Sequence, residues 1–105
     1  MTDTTALRAL RDKVAAGESF GDMPRPYALH TDLVWKAFSG SLDAAKALHE
    51  NLLPGWGWTL GRARPDNWFA KVWSAAKHHD SAIADNPARA WLLAILDALI
   101  QGAEG

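Results

Sequence analysis

The chain of 105 residues contains no cysteine. This absence excludes disulfides, thiolate metal sites and cysteine nucleophiles. An excess of charge of one sign is also absent, because 11 basic residues face 12 acidic ones and the net charge is −1. Such a balance gives no long-range field for nucleic acid, whose binding draws on a basic surplus. Long apolar runs are missing too, and the longest, Trp91 to Leu96, is far too short to span a bilayer.

The N-terminal residues Met1 to Thr5 lack the basic-then-apolar pattern of a signal peptide. The length suits one domain over residues 1–105, with a single modest core. We therefore expect a cytoplasmic, single-domain protein that does not enter a membrane.

The patterns of common enzyme classes are also lacking. The sequence has no zincin H-E-x-x-H, no G-x-S-x-G nucleophile elbow and no P-loop. These gaps favour a protein without catalytic residues, metal or cofactor, although they leave less common enzyme classes open.

Tryptophan is abundant: the chain has six, and five of them lie between Trp35 and Trp73. A tryptophan is placed either for packing or for stacking on a ligand. The densest stretch, Leu52 to Gly61, contains Pro-Gly-Trp-Gly-Trp and predicts a junction between a helix and a strand.

Apolar spacing of three and four residues predicts four helices. They are 5–16, ended by Gly17; 31–38, capped by Thr31 or Asp32; about 42–51, capped by Ser41 with Leu42 facing inward; and 87–101, capped by Asn86. On the last helix only Arg89, Leu93, Asp97 and Gln101 form a candidate solvent-facing line. Leu93 is then either an isolated exposed leucine or a dimer contact, so the chain is predicted to be a monomer or a homodimer.

Alternating residues predict a hairpin between the third and fourth helices. Trp56, Trp58 and Leu60 point to one side of the first strand, and a turn follows at 64–67. In the second strand, 68–74, Trp68, Ala70 and Val72 share one face, and Phe69, Lys71 and Trp73 share the other. A short third strand is predicted at 81–84.

Two blocks of the sequence, which begin at Phe38-Ser39-Gly40-Ser41 and at Asp85-Asn86-Pro87 and cover roughly residues 38–62 and 85–100, resemble the phage ABA-sandwich domain family of small phage and prophage proteins. The resemblance implies an α+β fold: an alpha-beta-alpha layered sandwich with a small antiparallel sheet packed by about four helices. It also implies a phage-derived gene, and it carries over no catalytic residues. In this layered fold, small residues beside Trp56 and Trp58 allow a helix to approach the sheet closely.

Two clusters are candidate sites. His78, His79 and Asp80 offer ligands or acid-base groups, and a solvated loop is the competing interpretation. The second cluster is basic and interleaved with aromatic side chains on and beside the hairpin. Its candidate ligand- or partner-binding residues are Trp73, Phe69, Lys71, Arg62 and Arg64, with Lys77 nearby.

These features predict a small non-catalytic accessory protein that binds a host protein or a small ligand, for instance as an anti-defence inhibitor. One alternative is a small hydrolase or nuclease that uses His78, His79 and Asp80. The other is a nucleic-acid-binding module that uses the basic, tryptophan-rich hairpin, which the overall charge disfavours. His49 is predicted to have a capping or surface role near the end of its helix.

Overall fold

A computed structural model describes residues 5–18, 30–74 and 82–104. Within these residues, four helices and three strands follow one another in the order α1 (Thr5–Ala16), α2 (Thr31–Phe38), α3 (Leu42–Leu52), β1 (Gly57–Arg64), β2 (Asn67–Trp73), β3 (Ala82–Ala84) and α4 (Pro87–Glu104). The predicted α+β class, with about four helices and a small antiparallel sheet, is confirmed.

Side-chain caps begin α3 and α4 where the sequence predicts them. The Ser41 hydroxyl accepts a hydrogen bond from the backbone N–H of Ala44 at 3.1 Å. The Asn86 side-chain oxygen accepts one from the backbone N–H of Arg89 at 2.8 Å. Each cap satisfies an N–H group that has no partner within its own helix, which fixes where the helix starts.

The start of α2 differs from the prediction. Its N-cap is His30, whose side chain makes no capping hydrogen bond, while Thr31 and Asp32 already lie in the first turn. Asp32 forms an ion pair with Lys36 one turn later, at 2.9 Å. The aspartate therefore supports the helix from inside its first turn, where its negative charge also favours the helix dipole.

The three strands form an antiparallel sheet in the order β1-β2-β3. Trp58 lies opposite Val72 and Leu60 opposite Ala70, while Phe69 lies opposite Ile83 on β3. The pairing of β1 with β2 shifts at a bulge between Arg62 and Arg64, just before the turn.

Helix α4 forms the middle layer of the molecule. One side of it packs on the sheet, and α1, α2 and α3 contact its remaining surface. The described side chains of α4 that are buried are Ala88, Ala90, Trp91, Leu92, Leu93, Ala94, Ile95, Leu96, Ala98, Leu99 and Ile100. A helix that is apolar all round has to be covered all round, and here two layers cover it.

The predicted solvent-facing line on α4 is therefore mostly wrong. Gln101 is exposed, but Arg89 and Asp97 are half-buried and Leu93 is buried. Because other elements of the same chain cover Leu93, it is not an isolated exposed leucine and offers no dimer contact.

Leu42 was predicted to face inward, and the structure instead leaves it 43% exposed at the start of α3. The core-facing side chains of this helix begin at Ala44 and Ala45 and continue to Leu48 and His49. Within the described ranges, no helix combines the length and the hydropathy needed to cross a bilayer.

Candidate functional site

The sheet has an inner face against α4 and an outer face directed away from it. On the inner face Ala70 and Val72 are fully buried, and the Trp58 ring stacks on Trp91 of α4 with centroids 4.3 Å apart. Alternation along the strands then assigns the opposite side chains to the outer face. We name this the outer sheet surface, and its members are Thr59, Phe69, Lys71, Trp73 and Ile83.

Two aromatic rings of the outer sheet surface lie over glycines of β1. A Cβ added at Gly57 would lie 2.6 Å from Nε1 of Trp73, and one added at Gly61 would lie 2.5 Å from the Phe69 ring. Both pairs are direct cross-strand neighbours. The glycines were expected to let a helix approach the sheet; they instead leave room for rings that reach across from β2.

These rings give the outer sheet surface an apolar character that solvent partly reaches. Phe69 and Trp73 are half-buried, Lys71 between them is exposed, and Ile83 is 57% exposed. Among the described parts of the chain, α4 is the only helix with an extensive contact to the sheet, and it lies on the inner face. The outer sheet surface therefore combines two half-buried aromatic rings with an exposed isoleucine, and no described helix packs on it extensively.

The predicted binding cluster separates into two groups. Phe69, Lys71 and Trp73 lie together on the outer face, as their spacing indicates. Arg62 lies on the inner face, where its guanidinium carbon is 4.9 Å from the centre of the Trp68 ring. Arg64 lies opposite Asn67 beside the turn, beyond the bulge. The two arginines therefore do not join the outer group.

The other predicted cluster, His78, His79 and Asp80 with Lys77 beside it, lies outside the described residues. In the ranges that the structure does describe, no three histidine or acidic side chains are grouped as a metal site requires. The two tryptophans of the Pro-Gly-Trp-Gly-Trp stretch differ in burial. Trp56 is half-buried against the core, while Trp58 is 43% exposed beside Trp91.

The imidazole of His49 was predicted to be a surface or capping group, and the structure buries it to 3% exposure. The indole N–H of Trp91 donates to its Nδ1 at 3.3 Å, and its Nε2 lies 2.9 Å from the backbone oxygen of Trp56. An indole nitrogen only donates, so Nδ1 must accept and Nε2 must carry the proton. The ring is thus neutral, and both nitrogens are occupied by structural hydrogen bonds.

Arg89 also has a structural role that the sequence did not indicate. Its guanidinium donates from Nε and Nη2 to the carbonyl oxygen of Phe38, at 3.3 and 3.0 Å. The same group lies 4.3 Å from the centre of the Phe38 ring and forms an ion pair with Asp85 at 3.1 Å. A cation on the last carbonyl of α2 favours that helix end and joins it to α4.

A polar cleft of about 360 Å³ lies between α1 and α4. Nε of Arg11 donates to Asp97 at 2.7 Å across it. This hydrogen bond is the main reason that the pKa of Arg11 is raised above its usual value, and partial burial opposes the effect. Arg11 and Asp97 form an ion pair with each other, so we interpret the cleft as a structural contact between the two helices and not as a ligand site.

Comparison with known proteins finds no family model, no curated protein and no solved structure that matches the chain.

Proposed function

We propose that the protein is a small non-catalytic binding protein whose outer sheet surface docks on another protein. The observation that carries the proposal is the half-buried pair Phe69 and Trp73, joined by the exposed Ile83 on the neighbouring strand. Aromatic side chains supply large contact areas with little loss of conformational freedom, which is why they are enriched in protein interfaces.

The charge of the outer sheet surface favours a protein partner over nucleic acid. Its single charged side chain is Lys71, since Arg62 lies on the inner face. Nucleic-acid backbones are bound by several cations that track successive phosphates. One cation in an apolar surround instead complements a protein patch that carries one acidic side chain among apolar ones.

The buried His49 has a structural role and is not an acid–base candidate. Both ring nitrogens of His49 are hydrogen-bonded to protein groups, so neither is available to exchange a proton with a substrate. In the context of the ABA-sandwich resemblance, the partner that we propose is a host protein, and the binding protein acts as a phage-derived accessory factor such as an anti-defence inhibitor.

The test compares surface variants in one capture experiment from phage-infected host lysate. Wild type is compared with the outer variants Lys71→Glu and Ile83→Asp. The control is Lys13→Glu at an exposed position of α1, which changes the net charge by the same amount as Lys71→Glu. Trp73 is left intact because its ring covers Gly57. We expect one stoichiometric protein to be retained by wild type and by the control and lost with both outer variants.

The captured protein is then titrated in purified form. We expect each outer variant to weaken the affinity at least about tenfold, which corresponds to roughly 1.4 kcal/mol. Equal affinity for all four proteins would place the interface elsewhere. If wild type slows single-stranded nucleic-acid probes in a gel and Lys71→Glu does not, the nucleic-acid alternative would be supported instead.

A further inference from the structure

Strand β1 forms one edge of the sheet that the described residues build. It pairs with β2 on one side, and no strand of the described residues pairs with its other side. It has eight residues and no proline, so its backbone can accept a further strand. The regular part of this edge, residues 57–62, presents N–H and C=O groups in the spacing that a second strand requires.

Both faces of the sheet carry aromatic side chains beside this edge. On the inner face Trp58 is 43% exposed. On the outer face the Trp73 and Phe69 rings extend across β1 above Gly57 and Gly61. A strand added to the edge would therefore bury aromatic surface on either side in addition to forming backbone hydrogen bonds.

We propose that the added strand is β1 of a second copy, paired antiparallel about a two-fold axis at Leu60. The sequence of β1 is self-complementary in this arrangement. Its first half, Gly57–Leu60, is uncharged and contains the exposed Trp58, and its second half contains Arg62 and Arg64. Antiparallel pairing brings the basic half of one copy to the uncharged half of the other, whereas parallel pairing would align like charges.

The two-fold register places Arg62 of one copy opposite Trp58 of the other. Arg62 already lies over Trp68 at 4.9 Å on the same face. Each arginine would then lie in a cross-strand row between two tryptophans, one from its own β2 and one from the second copy. A guanidinium between aromatic faces gains cation–π attraction on both sides.

The assembly closes after two copies. The bulge between Arg62 and Arg64 ends the regular part of the edge. The opposite edge of the sheet is β3, which has only three residues, Ala82–Ala84. Short edges and bulges disfavour further pairing, so a six-stranded dimer is expected and not a fibre.

Sedimentation equilibrium of the full chain tests the association. Wild type should reach twice the monomer mass of 11.4 kDa as its concentration rises. Thr59→Lys places a long side chain opposite Gly61 of the second copy, where the Phe69 ring already fills the space above the glycine, and this steric overlap should weaken the dimer at least tenfold. Ala15→Lys, at an exposed position of α1, adds the same charge and should leave the dimer affinity unchanged. A monomer at every concentration, or equal loss with both variants, would overturn the proposal.

The register is tested by introduced cysteines, because the chain has none of its own. Leu60→Cys should form an intermolecular disulfide on mild oxidation, since the two copies of residue 60 meet on the axis. Arg62→Cys should not, because its two copies are four residues apart, about 13 Å along the strand. Equal crosslinking of both would contradict the register. Partner capture by the outer sheet surface is a separate measurement, so either proposal can fail alone.

Discussion

At the scale of single residues, His49 joins three parts of the molecule. Its ring contacts Trp91 on α4 and the Trp56 carbonyl just before β1. We expect His49→Ala to lower the free energy of unfolding by about 2–4 kcal/mol, because it leaves a cavity and removes the hydrogen bonds to the buried Trp91 indole and to the Trp56 carbonyl. Urea unfolding followed by circular dichroism measures this loss.

The matched variant is Trp91→Phe, which removes the N–H that His49 accepts. In that background His49→Ala should cost less than it does in wild type, since one of the two hydrogen bonds is already gone. Additive losses in the double variant would show that the hydrogen bond to Trp91 contributes nothing.

Gly57 is the second residue with a sharp prediction. A Cβ there overlaps the Trp73 indole, so Gly57→Ala should destabilise the fold by about 1–3 kcal/mol through overpacking. The loss should largely disappear in a Trp73→Ala background, where nothing occupies that space. Thermal unfolding of the four proteins in this cycle measures the coupling.

Gly102 provides the contrast within the same chain. It lies in α4 with nothing within 4 Å of an added Cβ, and it is exposed. Gly102→Ala should stabilise the protein by about 0.5–1 kcal/mol, because alanine loses less backbone freedom in a helix. Destabilisation by this substitution would mean that the assigned open space is occupied.

At the scale of elements, the caps of α3 and α4 allow a comparison. Ser41→Ala and Asn86→Ala each remove one side-chain acceptor from a helix start. Both should cost about 1 kcal/mol. Substituting the uncapped His30 at the start of α2 by alanine should cost less on this account, because its side chain makes no capping bond. A larger loss at His30 than at Asn86 would contradict the assignment.

The sequence predicted these elements well because their signals are local. Ser41, Asn86 and Gly17 mark helix ends by their own chemistry, and the alternation around Trp58 and Val72 marks strands. His49 could not be predicted in the same way, since its burial depends on Trp91, which is 42 residues away. For Leu93 a signal was present: almost no polar residue interrupts α4, which is typical of a helix covered on all sides.

Local alternation also predicted which side chains of the candidate site share a face of the sheet, but not which face would be covered. Alternation placed Phe69, Lys71 and Trp73 on one face, and the register has them there. It did not tell which face α4 would cover, because both faces carry large apolar side chains. It also did not separate Arg62 from the outer group, although its even spacing from Trp58 assigns it to the inner face.

At the scale of the whole molecule, the layers differ in how many neighbours hold them. α1 makes its extensive contacts with α4, whereas α4 contacts every other layer. We expect native-state hydrogen exchange in α1 to proceed at a free energy at least about 1 kcal/mol lower than in the centre of α4. Equal protection in the two helices would show that they open only together.

The central position of α4 also has a consequence for biosynthesis. Ribosomes release the three other helices and the hairpin before they release the helix on which those elements pack. A lone hairpin is marginal in water, and a helix as short as α2 is too, so neither has stable packing until α4 emerges. The nascent chain therefore exposes its tryptophans until α4 has left the ribosome, and chaperones can reach them during that interval.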